Sequence, residues 1–101
     1  MDAFEKSIEA AGVTYTFKLP SAKDVIAVDR KALELRQGLT EGMFDGLSES
    51  HNIALLSTLC KSPENVDFGD LSVYLVDQLA DEVATWANSF RKRPAGKKSS
   101  T

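Results

Sequence analysis

Apolar and polar residues alternate near the start of this chain and recur at helical spacing through the rest of it. Val13, Tyr15, Phe17 and Leu19 alternate with Thr14, Thr16 and Lys18. That period of two, in β-branched and aromatic residues, predicts a strand over 13–19. Upstream, Phe4 and Ile8 flank Lys6 with the same parity, and Ala10, Ala11 and Gly12 can make a turn. A lone strand would leave its ladder unpaired, which favours a hairpin of 3–9 with 13–19. The alternative is a short helix over 2–11, consistent with its Glu, Lys and Ala content. Pro20 stops the strand, and Ser21 followed by Asp24 has the spacing of a capping box. Val25, Val28, Ala32 and Leu35, with Ile26 and Leu33 beside them, give one face of a helix over 22–37. Asp29, Lys31, Glu34 and Gln37 fall toward solvent, and Gly38 is a good terminator.

Residues 38–47, GLTEGMFDGL, contain three glycines and read as a loop with room for one helical turn at 40–44. Met43, Phe44 and Leu47 either fold back on the core or form a mobile apolar flap over a binding groove. A second helix is expected over 49–61, capped by Ser48 or Ser50 and ended by Pro63. Ile53, Leu56, Leu59 and Cys60 mark its buried side, with Leu55 adjacent. The strongest pattern lies in residues 67–90, DFGDLSVYLVDQLADEVATWANSF. Leu71, Leu75, Leu79, Val83, Trp86 and Phe90 recur in steps of three and four, so they form a stripe along a third helix. Tyr74 and Val76 widen it. Asp67 and Asp70 offer capping oxygens, and Phe68 can pack as a staple before the first turn. Arg91, Lys92 and Arg93 suit the negative end of the helix dipole ahead of Pro94. The expected core has Leu75, Leu79 and Val83 buried against the first two helices, with Val25, Val28, Leu56 and Leu59 opposite. The predicted fold is mainly α with a small N-terminal β-hairpin (α+β). It has a three-helix core over 1–93 as one domain and a disordered basic tail over 94–101.

Charge sharpens this picture. The net charge of −3 hides a basic C-terminus: residues 91–101 hold five basic residues and no acids, leaving seven basic residues against fifteen acids over 1–90. An acidic body disfavours nucleic acid as a partner. No apolar run approaches the roughly 20 residues that span a bilayer. The N-terminus MDAFEKSIEA lacks the features of a signal peptide, and Cys60 is the sole cysteine. A cytoplasmic protein without intrachain disulfides or membrane attachment is expected.

Candidate chemistry is sparse. His51 is the sole histidine, and on one helix it would stand about 13 Å from Cys60, too far for a dyad or a shared metal. The carboxylates Asp77, Asp81 and Glu82 have the spacing of a solvated helix face. Glycines 38, 42 and 46 lack the following Gly-Lys-Ser/Thr of a phosphate loop. No catalytic, metal or cofactor residues are predicted. Binding residues are sought instead among large, adaptable or aromatic side chains near the ends of the core stripe: Met43, Phe44, Tyr74, Trp86 and Phe90.

The order of elements also carries a resemblance. GVTYTFKLPSAKD leads from a strand through Pro-Ser into a helix. The middle apolar helix runs through LLSTLCKSPENVDFGDL, and YLVDQLADEVATWANSF precedes a basic tail. Over residues 12–93 this layout resembles the small tail assembly chaperones of long-tailed bacteriophages and prophages. The resemblance implies a non-enzymatic protein in the host cytoplasm. It would bind the long helical tape measure protein and keep it soluble while tail tube subunits polymerise around it; the tail tube protein is a further possible partner. It also implies a longer form made by ribosomal frameshifting, with which the Lys97-Lys98 pair is compatible. Self-association would hide the same apolar surface and give a homo-oligomer. Two other readings are a structural phage protein, such as a connector or head completion factor, and a small nucleic-acid-binding regulator. Against the regulator, the link between the first two helices is about 11 residues, where a helix-turn-helix has 3–4.

Overall fold

A computed structural model describes residues 4–37 and 46–90. Strands β1 (Glu5–Ala10) and β2 (Val13–Lys18) form the expected hairpin. Helix α1 (Ala22–Arg36) follows, then α2 (Gly46–Leu59), a short strand β3 (Cys60–Ser62), a 3₁₀ turn (Phe68–Asp70) and α3 (Val73–Ser89). The fold is α+β: three helices and an antiparallel sheet in the order β1-β2-β3. The tail at 94–101 and the loop residues 38–45, with Met43 and Phe44, lie outside the described residues.

The hairpin closes through Ala11 and Gly12, both at positive φ (53° and 79°). Two such residues make the mirror-image turn whose twist matches that of paired strands. Ala10 opposes Val13 and Ile8 opposes Tyr15, so the alternating apolar side chains share one face. Ile8, Ala10, Tyr15 and Phe17 are buried there. The opposite face is polar, with a Ser7–Thr16 hydroxyl bond of 3.0 Å and a Lys61–Glu5 ion pair reaching from β3 to β1.

The second helix ends two residues earlier than expected. Cys60 leaves it to open β3 opposite Phe17, and Thr16 pairs with Ser62 across an irregularity in β2. The expected two-stranded hairpin is therefore a three-stranded sheet. Strand β3 caps what would otherwise be a second open edge. At its other end α2 extends back to Gly46, so Ser48 and Ser50 lie inside the helix and do not cap it.

The third helix also starts later than its acidic caps suggest. The Asp67 side chain accepts from the Gly69 amide and caps the 3₁₀ turn, whereas Ser72 caps α3 through the Leu75 amide. Phe68, expected as a staple before the first turn, is a member of the main core instead. It is fully buried, 5.9 Å from the ring of Tyr15 and 6.3 Å from that of Phe17.

The main core lies between the sheet, α2 and α3. It joins Ile8, Ala10, Tyr15, Phe17, Leu56, Leu59, Phe68, Val76, Leu79, Ala80 and Val83. Leu79, Val83, Leu56 and Leu59 are buried as expected, but Leu75 is half-buried and Val25 is 48% exposed. Helix α1 does not sit opposite α3. The sheet takes that place, and α1 packs on α2 through a second, smaller cluster of Val28, Ala32 and Ala54, with Leu55 against it.

Candidate functional site

Because α1 and α3 both lean on α2, a groove opens between them. Its α1 wall begins where the chain leaves the sheet. Pro20 ends the ladder, and Ser21 starts α1 in a complete capping box: Ser21 Oγ accepts from the Asp24 amide at 3.2 Å, and Asp24 Oδ2 accepts from the Ser21 amide at 2.9 Å. The backbone bond from Ser21 holds the Asp24 carboxyl below its ordinary pKa, and Lys18, 3.4 Å away, adds to the effect. This fixes the direction in which α1 departs and so the width of the groove.

The groove has a volume of about 440 Å³. Leu19, Pro20, Val25 and Val28 form one side, Leu55 the floor, and Ala84, Ala87 and Phe90 the other side. Ser21, Asp29, His51 and Asn88 are the polar groups on its lining. The small side chains of Ala84 and Ala87 let a guest come close to the α3 backbone. Lined mainly by apolar groups with a few polar ones, the site suits a recognition role.

An aromatic group closes the α3 end. Phe90 is 46% exposed; its ring lies 5.8 Å from Trp86, edge to face, and 6.2 Å from Phe4. Trp86 is half-buried and supports Phe90 from outside the groove lining. Of the five residues predicted for binding, the structure brings these two together. Tyr74 is 84% exposed at the opposite end of α3. Phe90 is sixteen positions further along the chain, about 24 Å along the axis. The sequence reading missed the groove walls, Val25, Leu55, Ala84 and Ala87, which three different elements supply. The sequence carried no signal for them: Val25 was expected in the core, and its 48% exposure is visible only in the fold.

His51 lies exposed on the groove rim, while Cys60 is half-buried on the sheet. Burial pushes the Cys60 thiol above its ordinary pKa, and its sulfur donates weakly to the carbonyls of Ser62 and Pro63 at 3.5 and 3.6 Å. A protonated thiol is a poor nucleophile. Among the described residues no group of three or more His, Cys, Asp or Glu side chains is placed to hold a metal ion. No described helix is long and apolar enough to cross a membrane. No family model, curated protein or solved structure matches the chain.

Proposed function

We propose that this protein is a helix-binding assembly chaperone, acting on the tape measure protein of a long-tailed phage in the host cytoplasm. The single observation that carries this reading is the apolar groove between α1 and α3, floored by Leu55 and edged by the exposed Phe90. Grooves of this kind take the apolar face of an amphipathic helix, and aromatic anchors concentrate the binding energy. The resemblance of the strand–Pro-Ser–helix layout to tail assembly chaperones is what points to the tape measure protein as the guest. The protein acts by holding that guest and not by chemistry upon it.

The test is co-expression with a candidate tape measure protein, scoring how much stays soluble and co-purifies. Phe90→Ala should weaken capture by about 30-fold, the scale of an aromatic hot spot. It should barely move the thermal midpoint, since the side chain is half exposed. Trp86→Ala should weaken capture similarly with some loss of stability. If the wild-type protein leaves the tape measure protein insoluble and is retained stoichiometrically in assembled particles, it is a structural component instead.

A further inference from the structure

The groove does not end at its α1 wall. Ala22, Val25, Ile26, Asp29 and Leu33 are spaced by three, four and seven residues, so they share one face of α1. Ile26 and Leu33 are 58% and 57% exposed on that face. Only Val28 and Ala32, further round the helix, are buried against α2. One charge interrupts the apolar face. Asp29 stands at its centre, exposed, with Val25, Ile26, Ala32 and Leu33 at the positions three and four residues away. None of those neighbours is a cation, and among the described residues no ion pair reaches the Asp29 carboxylate.

We infer that this face and the adjoining groove seat one amphipathic helix of a partner protein, whose apolar stripe carries a lysine or arginine to meet Asp29. The inference rests on the helix-binding reading above and specifies the chemistry of the guest. A cation in the stripe would complement a carboxylate that docking removes from water, whereas an uninterrupted leucine stripe would leave that charge covered and unpaired. The same charge speaks against a second copy as occupant. An isologous pairing of this face would bring two Asp29 carboxylates together near its two-fold axis.

The probes are two synthetic amphipathic peptides of about 18 residues, long enough to be helical. They share a leucine stripe and differ at one central stripe position, lysine in one and glutamate in the other. The lysine peptide should bind the full chain about tenfold more tightly, and Asp29→Lys should reverse the preference. Leu33→Glu should abolish binding of both without lowering the thermal midpoint. Equal affinities, a preference that survives Asp29→Lys, or binding that survives Leu33→Glu would overturn the inference. So would a dimer in solution that Leu33→Glu dissociates, since the face would then belong to a second copy. The two readings fail separately. Charge-selective peptide binding without capture of the tape measure protein sinks the assigned partner and leaves the seat. Capture that is insensitive to Asp29→Lys and Leu33→Glu sinks the seat and leaves the partner.

Discussion

Ala11 occupies backbone space that costs an L-residue with a Cβ roughly 1–2 kcal/mol. With φ at 53° and Gly12 at 79°, the turn is the type that asparagine followed by glycine fits best. Ala11 is exposed and has no packing to lose. Ala11→Asn is therefore expected to stabilise the fold by about 0.5–1 kcal/mol, read as a rise in the urea midpoint with an unchanged slope. At this scale much was visible in the sequence. Ser21 and Asp24 make both halves of the capping box because a cap depends only on residues three apart. The start of α3 was harder to read. Asp67, Asp70 and Ser72 all have capping side chains, and only the 3₁₀ turn that engages Asp67 leaves the helix to Ser72.

Among the elements, α3 shows how far a spacing pattern reaches. Leu71 lies before α3 begins, and steps of four overshoot a turn of 3.6 residues, so the line Leu75–Leu79–Val83 winds around the helix. The buried face is Val76, Leu79, Ala80 and Val83: two members of the expected stripe, the flanking Val76, and Ala80. Leu79 belongs to both lines and is fully buried. Leu79→Ala should cost about 2–5 kcal/mol in chemical denaturation; a loss under about half a kcal/mol would mean that α3 does not pack as described. The hairpin, α1 and α3 were legible because each carries its own period, and α2, packed on two sides, was legible from its apolar run between Ser50 and Pro63. Strand β3 was not. Three residues, Cys60-Lys61-Ser62, are too few to show alternation, and what makes them a strand is the free edge of β2. The groove was hidden for a related reason. Phe90 and Trp86 stand out by type, but Val25, Leu55, Ala84 and Ala87 become a site only once α1 and α3 are set apart on α2.

At the scale of the whole molecule, the two clusters are unequal. The sheet, α2 and α3 share the larger one, while α1 is held by Val28 and Ala32 against Ala54 and by the cap at its start. Elements with few buried apolar contacts open at lower free energy than the core. In native-state hydrogen exchange the central amides of α1 should therefore lose protection before those of α2 and α3; simultaneous exchange of all three would contradict the ranking. Strand β3 sets a different constraint, on the order in which the chain can fold. Phe17 and Cys60 pair 43 positions apart. An isolated two-stranded hairpin is marginal in water, so β1 and β2 gain a lasting fold only when α2 and β3 arrive to cover and flank them. During synthesis the N-terminal half must leave the ribosome and wait. Closing so long a loop raises the contact order, and a high contact order slows folding. The apolar face of the hairpin, with Tyr15 and Phe17, is thus open to other chains in the newborn protein for longer than in a molecule whose sheet is built from neighbouring segments.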